Sequence, residues 1–171
     1  MRFHRNQSGV TLMELMIIAV IIGVLSAMAV PRWLQYIPQL RTKAAVRDAV
    51  STLREARSLA ISQKTDFGVH FDVYDGNYTL FANTADPGEA LFSEEDSVIS
   101  RSPVGLEVQM NYTTFPENCV VFDPNGAASG SGTITVNSGD YQTMYTIEVL
   151  QATGRVKLHE GYYFVEGYSA N

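Results

Sequence analysis

At 171 residues the chain has room for one domain and a membrane anchor, and its single cysteine, Cys119, excludes an internal disulfide. The formal charge of −6 is unevenly spread. Residues 32–64 carry seven basic groups against Asp48 and Glu55, whereas residues 65–171 carry Arg101, Arg155 and Lys157 against fifteen carboxylates, a balance that disfavours nucleic acid and anionic lipid as partners of that region.

The chain opens on a short basic segment, Met1 to Gly9, with Arg2, His4 and Arg5 and no acid. Val10 to Val30 follows, 21 residues that span about 31 Å as a helix and match a bilayer core. The preceding cations place the N-terminus on the cytoplasmic side. Leu15 to Val30 is uncharged, but Glu14 puts a carboxylate at the start of the apolar run. An ionised group at the bilayer centre costs about 2.5–3.5 kcal/mol on insertion scales, so such a residue calls for a partner. The plainer alternative leaves Glu14 at interface depth, solvated by headgroups. Ala27-Met28-Ala29 offers a small-x-small site for an ordinary secretory signal. Against that stand Glu14 and the apolar length, and cleavage there would leave Pro31, Trp33 and Tyr36 as a frayed end.

Pro31 and Pro38 lack a backbone donor and are expected to bend or locally break the helix. Gln39 to Gln63 then predicts an amphipathic stem. Ala45, Val46, Ala49, Leu53, Ala56 and Ala60 fall on one face, with Asp48, Ser51, Glu55 and Ser58 opposite. The alanines allow a close approach by a sheet or another helix. Lys43, Arg47 and Arg54 form a positive stripe that is either solvated or in contact with acidic neighbours. Thr65-Asp66-Phe67-Gly68 supplies the stop.

Beyond Gly68 the pattern alternates. Val69–Val73 and Asn77–Phe81 flank Tyr74-Asp75-Gly76 and predict a hairpin. Residues 82–97 read as a polar loop containing Asp86-Pro87-Gly88. Further strands are expected over Gly105–Tyr112, Cys119–Phe122, Gly132–Val136, Met144–Leu150 and Arg155–Leu158. About seven strands beside one long helix give an α+β head packed on the alanine-rich face. Cys119, within an apolar run, reads as a buried, inert thiol.

Ser8-Gly9-Val10-Thr11-Leu12-Met13-Glu14-Leu15, followed by the apolar run and Pro31, resembles the leader and N-terminal helix of type IV prepilins and type II secretion pseudopilins. The resemblance implies cleavage by a membrane peptidase between Gly9 and Val10 and methylation of the new N-terminus. Val10 stands where that family more often has Phe or Met. Cleavage removes Arg2 and Arg5, which would resist extraction of the helix from the membrane. It also creates an ammonium on Val10 that the resemblance pairs with Glu14 of an adjacent subunit. Leu53-Arg-Glu-Ala-Arg57-Ser-Leu-Ala-Ile61, Val121-Phe-Asp-Pro-Asn-Gly126, Thr133-Ile-Thr-Val136 and Gly154-Arg155-Val156 are similar to the GspH/FimT branch of minor pilins and pseudopilins. A pilin-like fold is thereby implied, with a long N-terminal helix, transmembrane then amphipathic, packed on an antiparallel head. The expected segments are a cleaved leader at 1–9, a transmembrane helix at 10–30, a stem at 31–66 and a periplasmic head at 67–171.

No constellation for catalysis is present. Gly126–Gly132 lacks the Lys-Ser/Thr of a phosphate loop, Gly-x-Ser-x-Gly is absent, and His4, His70 and His159 lie far apart. Glu94-Glu95-Asp96 has calcium-type oxygens without the spaced ligands of a defined loop, so surface solubility is the expectation. No metal or cofactor is expected. The reading is a non-enzymatic subunit of the bacterial inner membrane, assembled into a type II secretion pseudopilus or type IV pilus. The partners it implies are other pilin-type subunits, the prepilin peptidase/methyltransferase and an inner-membrane assembly platform. Two rivals are a FimT-like DNA-uptake pilin using Arg155 and Lys157, and a membrane-anchored enzyme with an unrecognised site.

Overall fold

The computed structural model describes residues 10–85, 89–105 and 107–161. The expected leader, including Gly9, and Asp86-Pro87-Gly88 lie outside the described residues. The chain divides into two compact units, one ending at Ile37 and the other beginning at Pro38. Helix α1, Leu12–Gln63, contributes to both.

In the first unit Leu12–Val30 is 19 residues long with a mean hydropathy of 2.5, and none of it is buried within the protein. A helix this apolar and this exposed is built for a non-aqueous surrounding. Exposed Trp33 and Tyr36 follow it, amphipathic rings of the kind that settle at a membrane surface. Of the expected bend or local break, the break does not occur, since Pro31 and Pro38 both lie within α1. A proline removes one hydrogen bond while the flanking i→i−4 bonds persist, and the Pro38 carbonyl accepts a bond from Thr42 Oγ1 at 2.9 Å.

Among the described residues the second unit contains eight strands in two antiparallel sheets. One sheet is built from β1 Phe67–Asp72, β2 Asn77–Ala82, β3 Ser97–Pro103 and β5 Cys119–Phe122, in the order β3-β2-β1-β5. The other takes β4 Val108–Thr113, β6 Gly132–Ser138, β7 Met144–Leu150 and β8 Arg155–Glu160, in the order β4-β6-β7-β8. The predicted hairpin is present as β1 and β2, with Asp72 paired to Asn77. Strand β3 arises where no strand was expected. Its side chains are exposed or half-buried, so it shows no buried face to read, and backbone pairing with β2 holds it.

Val46, Ala49, Leu53, Ala56 and Ala60 are buried as the wheel requires, together with Val50 and Thr42 from the same helix. They join one core with Phe67, Phe71, Tyr78, Leu80 and Phe122 of the first sheet and Ile134, Val136, Ile147 and Val149 of the second. Alternation along β5 sends Val120 and Phe122 into this core and turns Cys119 and Val121 toward a smaller cluster with Phe81, Ala90 and Phe92. Phe92 packs edge-on to Phe81 and stacks on His70, both with ring centroids 5.0 Å apart. Burial lowers the pKa of His70.

The segment carrying Phe92 is organised by Asp96. Its carboxylate accepts the backbone N–H groups of Thr84 and Ala85, both at 3.0 Å, and of Ser93 at 2.9 Å. Asp96 is therefore buried, which corrects the expectation of surface solubility for the whole acidic triplet. Glu94 and Glu95 remain exposed.

Cys119 is buried, and desolvation, with a further contribution from Asp96, pushes its thiol up to about 12. The thiolate is the reactive form. Iodoacetamide at neutral pH is expected to leave Cys119 unmodified in the folded protein and to alkylate it fully once urea unfolds the head, read by intact mass.

Candidate assembly site and the junction of the head

Thr11 starts α1. Its Oγ1 accepts the Glu14 backbone N–H at 3.2 Å, and its carbonyl accepts the Leu15 N–H at 3.2 Å. Thr11-Leu-Met-Glu14 thus has the spacing of a capping box, with Glu14 in the first helical turn. The unpaired N–H groups at a helix start favour a carboxylate there. The sequence contained this signal, although its membrane meaning dominated the reading. Val10 is exposed, and Glu14 lies on the exposed helix.

In the second unit, three segments that are distant in sequence meet at one point. After β5 the chain turns through Asp123-Pro-Asn-Gly126. The Asp123 carboxylate accepts the N–H groups of Asn125 at 2.9 Å and Ala127 at 2.8 Å. Desolvation works to raise the Asp123 pKa, but hydrogen bonds from Ala127, Asn125 and Gly126 together outweigh it and hold the carboxyl below its usual range. The turn presents the Gly126 carbonyl to Arg57 Nε, which donates to it at 2.9 Å from α1. Gly154, at φ +57° after β7, lies so close that an added Cβ would fall 2.0 Å from the Gly126 oxygen. Ala128 N–H donates to the Gln151 carbonyl at 2.9 Å and ties the turn to the end of the second sheet. Leu53–Ile61, Val121–Gly126 and Gly154–Val156, three of the four scattered matches, therefore form one three-way junction.

Other bonds also hold α1 to the head. Asp48 accepts a short hydrogen bond from the Tyr78 hydroxyl, and Arg41 Nη1 meets Glu107 Oε2 at 2.7 Å. Both partners of the second pair are largely solvent-accessible, so it positions more than it stabilises.

Arg155 and Lys157 start β8 but engage differently. Arg155 is exposed and lines a groove with Arg54 and Arg57 of α1. Lys157 Nζ lies 3.7 Å from buried Glu148 Oε2, which His159 Nε2 also approaches at 3.0 Å. Among the described residues no three His, Cys, Asp or Glu side chains gather as a metal site. Asp66, Glu89 and Asp123 border a pocket of about 500 Å³, where the Asp123 carboxylate is engaged by its own turn.

An exposed apolar helical segment, an alanine-faced continuation and a two-sheet antiparallel head define a pilin-like protein. The family model described as prokaryotic N-terminal methylation motif matches residues 4–30. The model described as Type II transport protein GspH matches residues 45–153, and the chain belongs to that family.

Solved structures share the fold at low sequence identity. The minor pseudopilin EpsH from the type 2 secretion system of Vibrio cholerae aligns at a TM-score of 0.55 and 15% identity, covering 70% of this chain and 97% of EpsH. The type IV minor pilin FimU of Pseudomonas aeruginosa aligns at 0.56 and 16%, covering 71% and 90%. GspH of E. coli aligns at 0.53 and 12%, covering 71% and 89%. No curated protein sequence matches the chain. The family is one of structural pilin subunits serving type II secretion or type IV pili, and its single N-terminal apolar helix is consistent with anchoring in the inner membrane.

Proposed function

We propose that this chain is a minor pseudopilin, cut between Gly9 and Val10, methylated on Val10, and inserted into a type II secretion pseudopilus through its N-terminal helix. Its leader spans 1–9, its membrane segment 10–30 and its stem 31–66, and its head, 67–171, stands in the periplasm. Other pilin-type subunits, the prepilin peptidase/methyltransferase and an inner-membrane platform are its partners. The observation that carries this reading is Glu14 at the capped start of the apolar segment Leu12–Val30, none of which is buried within the protein. A carboxylate there has a role if a neighbour brings the methylated ammonium of its own Val10, which keeps its positive charge. The pair offsets desolvation and sets the axial register between subunits.

Intact mass spectrometry of the mature protein tests the processing step. The expected species lacks residues 1–9 and carries one added methyl group. A chain beginning at Val30 would mean ordinary signal cleavage and would remove the filament role.

The DNA-uptake alternative rests on Arg155 and Lys157. It is the weaker reading, because Lys157 has Glu148 as a partner and the surrounding carboxylates oppose a polyanion.

A further inference from the structure

Arg54, Arg57 and Arg155 line one groove of about 680 Å³, together with Ser58 and Thr153. Arg54 and Arg155 are exposed, while Arg57 is half-buried and held by its bond to the Gly126 carbonyl. Among the described residues the ion pairs are Arg41 with Glu107, and Lys157 and His159 with Glu148. Among the described residues none of the three groove guanidinium groups has a carboxylate partner. Arg54 and Arg57 are three residues apart on one helix, where like charges disfavour the helix. From residue 65 onward carboxylates outnumber basic groups fifteen to three, yet none of those among the described residues forms an ion pair in this groove. A guanidinium held in place by its own Nε bond, flanked by two free to adjust and by two hydroxyls, suits carboxylate oxygens.

We propose that this groove binds a short acidic segment on the head of a neighbouring pilin-type subunit, two or three clustered carboxylates seated on Arg54, Arg57 and Arg155. The inference rests on the filament reading and adds the chemistry by which heads recognise one another. Charge complementarity selects the occupant. A short segment meets only the groove, whereas a long polyanion also meets the acidic surface around it. Exposed Glu94 and Glu95 show that this head itself displays such a segment.

The test uses the full-length protein in nonionic detergent with fluorescein-labelled hexaglutamate, read by anisotropy at low ionic strength. Salt-sensitive binding is expected, weakened at least about tenfold by Arg54→Glu with Arg155→Glu. Lys43→Glu with Arg47→Glu, an equal charge change elsewhere on α1, is expected to leave binding unchanged. Absence of binding, or equal binding by the double variant, overturns the proposal. So does a single-stranded oligonucleotide of matched charge that displaces the peptide at lower concentration, since it would assign the groove to nucleic acid. None of these results touches the filament reading, which stands or falls on mature mass and on incorporation of Glu14 variants.

Discussion

Glu14→Ala is expected to reduce incorporation into filaments at least about tenfold while leaving cleavage and methylation intact. On the proposed pairing, removing the carboxylate would strand a neighbour's N-terminal ammonium in a medium that cannot solvate it, and an unpaired desolvated charge is the costliest way to break such a pair. Glu14→Gln separates charge from local structure. It keeps a polar side chain of the same length at the third helical position, and Thr11 still caps the helix. It is nevertheless expected to fail like the alanine variant. Filament fractions sheared from cells, compared by immunoblot with the membrane pool, give the ratio directly. Normal incorporation of Glu14→Ala would remove the assembly role, and normal incorporation of Glu14→Gln alone would reassign it to hydrogen bonding.

Gly154→Ala is expected to give the largest loss of head stability, about 3 kcal/mol or more. Two effects combine. The φ of +57° disfavours any side chain, and the new Cβ would stand 2.0 Å from a backbone oxygen that no rotamer change can move. Relief requires the Asp123–Gly126 turn to retreat, which lengthens the Arg57–Gly126 bond and loosens the tie from Ala128 to Gln151. Gly126→Ala is the comparison. Its Cβ would meet Ile61 Cδ1 at 2.7 Å and Arg57 Nε at 3.2 Å, both side-chain atoms that can give way. A smaller loss is expected there. Urea unfolding followed by near-ultraviolet circular dichroism is expected to show the Gly154→Ala midpoint lower by about 1–3 M. An unchanged midpoint would mean that the junction does not hold the head together.

The two variants address different kinds of information in the chain. The role proposed for Glu14 follows from local pattern, because a charge within an apolar run stands out wherever it occurs. Gly154 carries no such mark. Its constraint comes from Gly126 and Arg57, residues far away in sequence, and pattern alone could match the three segments to a branch of a family without showing that they touch. Arg57 illustrates the difference. On the wheel it is one more cation of a basic stem, but in the fold it is the donor that fixes a turn and orients a groove.

Strand β3 and Asp96 were hidden for related reasons. Side-chain alternation reveals a strand when one face is buried, and β3 has no such face. Asp96 sits in an acidic run whose composition suggests solvent, yet its oxygens organise amides as distant as Thr84. The prolines allowed for a local break that does not occur. Each removes one bond from a long ladder, and the neighbouring bonds carry the helix through.

By itself the sequence determined the apolar helix, its lone carboxylate, the alanine face, the β1–β2 hairpin and the limits of β7. All of these are periodic or nearest-neighbour properties that the chain expresses locally. Only the tertiary structure decided that the strands divide into two sheets, that Asp96 is internal, that three motifs close one junction and that three arginines share a groove. Those depend on which distant backbones approach each other, and that is settled by packing the whole core at once.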